Sequence, residues 1–232
     1  MQRIDYNGWE LSEFDAAYNF RKYQLFFIKD YIKNKKILDV GCGPGGFTAF
    51  YLKYCKLVDL YEPSLNLYNI LKNKFKKKIK NIYKDKKYFK KKKYDVILYF
   101  DVIEHIREYR NEIKWAYQKL NKGGKLIINV PAFNFLYSDF DKDVGHYKRF
   151  NKSDFYNFCK KNKFIINEMK YYDSIGYILI LVSKFIFGNF LNKKNLKNNI
   201  RVWNSLIPLS RLIDKFLFHT FGKSLICVIN KS

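Results

Sequence analysis

Cysteine is scarce in this chain. Its 232 residues include four, Cys42, Cys55, Cys159 and Cys227, each standing alone. Without a C-x-x-C pair no cysteine zinc site is expected. Single thiols so scattered read as small reduced interior residues, not as a disulfide framework. Acids are also few: 21 against 45 basic residues, a formal net charge of +24. That excess invites a nucleic-acid or membrane-surface partner. The positive charge is mostly lysine, however, and it is spread along the chain. Arginine, which specific phosphate and base readout favours, is rare. A dedicated nucleic-acid reader is therefore not the expected class. No apolar run reaches the roughly 20 residues that a membrane helix needs. The nearest, Ile175–Phe187, is broken by Ser183 and Lys184. Met1–Glu10 is polar with no secretory pattern, so a cytoplasmic protein is expected. What is plentiful is apolar and aromatic: 48% and 19% of the chain. That excludes disorder and supplies a real core.

The stretch with the most information is Ile37-Leu38-Asp39-Val40-Gly41-Cys42-Gly43-Pro44-Gly45-Gly46-Phe47-Thr48. A short apolar strand ends in an acid and a glycine cluster, and a helical pattern follows. Glycine lets the backbone turn sharply and lets a ligand come close. The helix that opens next aims free N–H groups at that ligand. Gly41, Gly43 and Gly46 also satisfy the dinucleotide fingerprint, so a dehydrogenase-like turn shares this pattern. Two acids point elsewhere. Asp39 precedes the first glycine by two residues, where it can accept hydrogen bonds or sit near a cation. Glu62 ends a second apolar strand about twenty residues on, where an acid can take both hydroxyls of a ribose.

Along the chain, residues 10–34 read as a helix, with Phe20, Tyr23, Phe27 and Tyr31 at helical spacing. Strands are expected at 37–40, 57–61 and 80–84, with helices from Phe47 and after Pro63-Ser64. Asp95 opens a fourth strand through Phe100, continuous enough to be buried on both faces. Asp101-Val102-Ile103-Glu104-His105 lies at its carboxyl end, where open α/β sheets hold ligands. A helix carrying Ile106, Tyr109, Ile113, Tyr117 and Leu120 follows, stopped by Gly123-Gly124. Strand five is Lys125–Val130. Residues 132–150 read as a long irregular loop bearing Tyr137, Asp139, Asp141, His146 and Arg149. Residues 152–162 suggest a helix, 164–172 and 224–230 two more strands. Residues 189–201 read as a polar, basic linker. Beyond it Leu209, Leu212, Ile213, Phe216 and Leu217 trace an amphipathic helix. It is expected to be either a lid packed on the sheet or on a second copy, or an interfacial surface near lipid.

The glycine loop with Glu62, and the segments 95–106, 120–131 and 136–150, resemble the class I S-adenosylmethionine (SAM)-dependent methyltransferases. The run Val130-Pro131-Ala132 through Gly145-His146-Tyr147-Lys148-Arg149-Phe150 is similar to bacterial members associated with surface-glycan, O-antigen or capsule assembly. The resemblance implies an α/β Rossmann-like fold: a seven-stranded, mostly parallel sheet of order 3-2-1-4-5-7-6. It divides the chain into a helical cap (1–34), a SAM-binding core (35–172), a helical insertion (173–223) and a last core strand (224–232). It implies SAM as cofactor, held by Asp39, Gly41, Cys42, Gly43, Gly45, Glu62, Pro63, Asp101 and Val102, with Asp85 near the adenine. The implied reaction is methylation of a hydroxyl on a sugar or lipid-linked glycan. A quinone-type or other small-molecule O-methyltransferase is the alternative; a basic nucleic-acid-binding or RNA-methylating protein is a further one. The expected location is the cytoplasm, with peripheral contact at the inner face of the membrane as an extension.

An oxygen acceptor gains from losing its proton. His146, on the loop beyond the strand ends, is the first candidate base, and His105 a second. A divalent metal on Asp101, Glu104, His105 and His146 is the other device, since hard oxygens with imidazole suit Mg²⁺, Mn²⁺ or Zn²⁺. The acid-x-x-Glu-His spacing is similar to that of ubiquinone and small-RNA 2′-O-methyltransferases, which begin the motif with Glu where this chain has Asp101.

Overall fold

The computed structural model describes residues 8–184 and 195–232. Its sheet runs β3-β2-β1-β4-β5-β7-β6, the order expected. The strands are β1 (Lys36–Val40), β2 (Leu57–Tyr61), β3 (Asn81–Tyr83), β4 (Tyr94–Phe100), β5 (Leu120–Pro131), β6 (Ile165–Tyr172) and β7 (Ser224–Asn230). All neighbours pair parallel except β7, which is antiparallel to both β5 and β6. The helices are α1 (Leu11–Asp15), α2 (Tyr18–Ile32), α3 (Gly46–Tyr51), α4 (Leu65–Phe75), α5 (Tyr109–Gln118), α6 (Asp139–Asp143), α7 (Lys152–Asn162), α8 (Ser174–Val182) and α9 (Leu196–Phe216).

Continuous apolar strands bury both faces, and strand alternation divides them. Ile37, Val96, Leu98, Ile127, Ile226 and Val228 face one core, beneath α2, α3, α4 and α9. Leu38, Val40, Ile97, Tyr99, Leu126, Ile128, Cys227 and Ile229 face the other, beneath α5 and α7. Helices on both faces leave the strand ends as the open place for a ligand.

Four local expectations are corrected. The first helical stretch is two helices, parted where Ala17 leaves helical geometry with ψ of 72°. Leu120 opens β5 and pairs with Tyr94, so Gly123-Gly124 lie inside a strand that shifts register there and do not stop a helix. Residues 132–150 are partly helical, through Asn134–Leu136 and α6. Residues 196–201, read as linker, are the first turns of α9, because Leu196 and Ile200 join Trp203 and Ile207 on its buried face. Residues 189–194 of that linker, and 185–187 of the apolar run, lie outside the described residues.

Pro208 sits inside α9 and cannot donate to the carbonyl four residues back. Asn19 takes that carbonyl, its Nδ2 donating to Asn204 O at 3.0 Å. Asn204 Oδ1 in turn accepts from Phe20 N at 3.1 Å, in the first turn of α2. The turn before Pro208 is thus where the two helices are stitched. Below it, Asp214 is fully buried and accepts from Tyr23 Oη (2.9 Å), Asp173 N (2.6 Å) and Ser174 N (2.9 Å). One carboxylate therefore ties α2, α9 and the end of β6. Asp214→Ala is expected to lower stability by on the order of 3 kcal/mol, because it strands three buried donors. Urea unfolding followed by circular dichroism reads that loss.

Candidate active site

The glycine loop leaves β1 where it was expected. Gly41 and Gly45 have φ of 67° and 72°, in the left-handed region that glycine adopts without strain. Both also lack room. A Cβ on Gly41 would lie 2.7 Å from a methyl of Val102, and one on Gly45 would lie 2.4 Å from the Phe75 ring. The loop is thereby pressed between the tip of β4 and α4. Glu62, at the end of β2, is buried. Its Oε2 accepts from Gly43 N (2.8 Å) and its Oε1 from Ser64 N (2.9 Å). Burial raises its pKa to about 7, against the pull of those two N–H groups. Each oxygen keeps a further lone pair for a ligand hydroxyl.

Asp39 is also buried, its pKa lifted by burial to about 6. Its Oδ2 accepts from Thr48 Oγ1 (2.9 Å) and from Tyr51 Oη, so it anchors α3 to β1. Cys42 Sγ lies 3.9 Å from Tyr61 O, and burial pushes its thiol well up, which makes it inert packing. Pro63 leads from Glu62 into the start of α4. Asp85 lies two residues beyond β3 and accepts from Lys87 N at 2.8 Å.

Helix α1 lies across the loop. Leu11 Cδ1 is 3.4 Å from where a Cβ on Gly43 would stand, and the Asp15 carboxylate fills the space beside Gly46. Asp15 is held there by Arg21 (Nη2 to Oδ1, 3.0 Å), which also donates to Gln24 and lies 4.0 Å from Asp101. Arg21 is a buried guanidinium beside the loop. Sequence reasoning missed it, because on α2 it occupies an ordinary helical position.

The second half of the site lies beyond β4 and β5. Asp101 and Phe133 have φ of 57° and 61°, non-glycine residues held in the left-handed region at the two strand ends. Asp101 turns its carboxylate to Asn129 Nδ2 (2.8 Å) and stays outside the group formed by its neighbours. That group is Glu104, His105 and His146. Each offers one ligand atom, all within 4.8 Å of one another. Glu104 is buried, and neither carboxylate oxygen has a hydrogen-bond partner among the described residues. Burial, with Asp101 adding to it, holds its carboxyl well above the usual range. Burial and His146 push His105 down to about 3.

His146 is oriented from behind. Its Nδ1 lies 2.7 Å from Asp141 Oδ1. A carboxylate there can only accept, so Nδ1 carries a hydrogen, and in the neutral ring the lone pair is then on Nε2, 4.0 Å from Glu104 Oε1. Asp141 is itself buried and fixed by Arg149 Nε, at 2.9 and 3.0 Å to its two oxygens. Burial would raise Asp141, but the bonds from His146 and Arg149 prevail and hold it below its ordinary value. Tyr137 Oη donates to His146 O, and Tyr147 N to Glu104 O, both at 2.7 Å, so the loop is tied to the strand end. The roles of Asp141 and Arg149 were not read from the sequence. The available signal was Ser138-x-x-Asp141, a capping-box spacing that does open α6 and fixes Asp141 in place.

A family model described as a methyltransferase domain matches residues 12–166, more than half of the chain. The chain belongs to the methyltransferase domain family. That span reaches from α1 to the start of β6 and takes in the glycine loop, Glu62, the β4 tip and His146. Among solved structures, this methyltransferase domain resembles a SAM-dependent methyltransferase of Archaeoglobus fulgidus, at 18% identity over 91% of this chain and 93% of that one, TM-score 0.60. It also resembles phosphoethanolamine N-methyltransferase 2 of Haemonchus contortus, at 18% identity over 99% of this chain and 58% of that one, TM-score 0.65. At such identities the likeness is one of fold. A 47-residue stretch is 49% identical to ribosomal RNA small subunit methyltransferase A of Mesomycoplasma hyopneumoniae. It covers 20% of this chain and only 18% of that enzyme.

Proposed function

We propose that the chain transfers the methyl group of SAM to a hydroxyl oxygen on a sugar or lipid-linked glycan. The observation that carries this reading is the His146–Asp141 pair, whose free Nε2 stands beyond the strand ends that also present Glu62 and the glycine loop. SAM supplies an already electrophilic methyl on a sulfonium, so no covalent enzyme intermediate is needed. Glu62 takes the ribose hydroxyls, the loop Gly41–Gly45 receives the methionine part, Asp101 and Val102 flank it, and Asp85 lies toward the adenine. Arg21, paired with Asp15 beside the loop, would be the cation available to the methionine carboxylate.

His146 accepts the acceptor's proton at Nε2, and Asp141 holds the ring in the tautomer that permits this. His105, pushed to about 3, is a poor proton acceptor near neutrality, and the role falls to His146. The gap bounded by Phe14, Gly176, Ile180, Asn199, Trp203 and Lys223 is only about 20 Å³, room for one water and not for a sugar ring, so the acceptor is not seated there. Lys223 Nζ stands 3.8 Å from the Trp203 ring centre, and burial lowers its pKa to about 8.

One observation favours a second reading. The unpartnered carboxylate of Glu104, with two imidazoles beside it, is a donor set that fits Zn²⁺ or Mn²⁺. Asp141 behind His146 would then be the carboxylate that orients a ligating histidine. A cation there would take the Nε2 lone pair and replace the base role by lowering the acceptor's own pKa.

The test is methyl transfer from labelled SAM to polyprenyl-linked and nucleotide-linked sugars, with and without EDTA. Label on a sugar oxygen that survives EDTA supports the base. Loss with EDTA and recovery with Mn²⁺ or Zn²⁺ supports the metal. Label only on quinols, amines or RNA overturns the glycan acceptor.

A further inference from the structure

Helix α9 is apolar on the wrong side. Its buried face is made by Leu196, Ile200, Trp203, Ile207, Ser210 and Asp214. With 3.6 residues per turn, Val202, Leu209, Leu212 and Phe216 lie on the opposite side, with exposed Ser205 between the first two. Those four are 57%, 51%, 53% and 73% exposed. A surface helix ordinarily places charge on that side. Phe218, 86% exposed just past the helix end, extends the stripe, and exposed Phe26 on α2 lies beside it under Arg211, 4.2 Å from its guanidinium.

The flank of the stripe is basic. Arg201, Arg211 and Lys215 are exposed on α9, and the helix's one acid, Asp214, is buried. Lys22 from α2 joins Arg211 and Lys215 in lining a groove between the two helices, next to Pro208 and Leu212. An apolar ridge with a cationic groove alongside has the layout of an interfacial helix: side chains in the acyl boundary, cations at headgroup level. A second copy meeting this face about a two-fold axis would bring basic groove against basic groove, and the charge argues against that occupant. No helix among the described residues is long and apolar enough to cross a membrane, so the contact is one of lying on the surface.

We infer that the α2–α9 face docks on an anionic lipid surface, with Leu209, Leu212 and Phe216 inserted and the Lys22–Arg211–Lys215 groove on lipid phosphate. The inference stands on this face alone and does not depend on which acceptor the active site methylates.

The test is co-sedimentation of the full chain with vesicles of phosphatidylcholine, with or without phosphatidylglycerol, at low and high salt. Binding is expected only with the anionic lipid. Leu209→Ser with Phe216→Ser is expected to weaken it about tenfold or more, since both apolar side chains lose a buried environment. The triple change Lys22→Gln, Arg211→Gln, Lys215→Gln is expected to abolish it. All these side chains are exposed, and an unchanged melting curve verifies the fold. Three results overturn the inference. One is no binding to anionic vesicles at low salt. A second is binding that the serine pair leaves unchanged, because the overall charge of +24 alone then explains it. A dimer in sedimentation velocity that the serine pair dissociates, without vesicle binding, would also overturn it and assign the stripe to a second copy.

Discussion

His146→Ala is expected to lower kcat by about 10²–10⁴-fold, the usual worth of a positioned general base. SAM affinity should be essentially unchanged, because the neighbours of the imidazole are Asp141, Glu104 and His105, on the β4 and β5 side of the site. Asp141→Asn is the sharper variant. It keeps the shape and the neighbours, but an amide can turn its NH₂ toward Nδ1. That would favour the ring tautomer with hydrogen on Nε2, which cannot accept a proton. A comparable loss of kcat, with cofactor binding intact, would place the two residues in one unit, and the double variant should be hardly worse than either single one. If His146→Ala leaves single-turnover methyl transfer unchanged, proton removal at this position is not part of the reaction. Arg149 can serve as the structural control. It grips Asp141 through Nε, so Arg149→Lys should loosen His146 only as far as Asp141 shifts.

Which parts of this molecule could be read beforehand follows from how local each signal is. β4 is a continuous apolar run after Asp95 and β1 is one broken by Asp39, and burial on both faces leaves few alternatives to a central parallel strand. The glycine loop announces itself because its glycines answer to backbone geometry and to Val102 and Phe75 pressing on them. Gly123-Gly124 misled for the same reason. A glycine pair after an apolar helical pattern reads as a stop, yet here Leu120 is already paired to Tyr94 and the glycines absorb a register shift. Only the neighbouring strand decides that. Leu196–Arg201 looked like linker because its polar residues are visible in sequence, whereas the groove that receives Leu196 and Ile200 is not. The 132–150 segment lies between these cases. His146 stood out by residue type. Its partner Asp141 and the Arg149 brace become neighbours only because α6 turns the chain and the Ala132–Phe150 bridge brings its far end back. Arg21 and Asp15 carried no motif at all. Their pairing depends on α1 folding across the loop, which tertiary packing of Leu11 and Asp15 against bare glycines permits.

Glu62→Gln should weaken SAM binding by about one to two orders of magnitude, the worth of one or two hydrogen bonds to a charged acceptor. The pH dependence is the more searching measurement. Burial places the Glu62 pKa near 7, so in the free protein much of it is protonated at pH 6 and little at pH 8. Ribose hydroxyls donate best to the ionised form, so SAM should bind more tightly as pH rises through 7. Below that value affinity should fall by up to about tenfold per unit. The same shift acts on stability with the opposite sign. A carboxyl whose folded pKa is raised holds its proton more tightly in the native chain than in the unfolded one. Its stabilising contribution is complete below about 4.5 and is lost as pH climbs through 7; buried Asp39, raised to about 6, adds to the same trend. Unliganded protein should therefore melt lower at pH 8 than at pH 6, while SAM protects it more at pH 8. Calorimetry across that range should show the wild-type dissociation constant falling with pH and that of the Glu62→Gln variant flat. A wild-type profile already flat, with affinity that the substitution does not alter, would remove Glu62 from the cofactor site. The carboxylate would then be a brace between Gly43 and Ser64, and the ribose would have to be sought elsewhere along the strand ends.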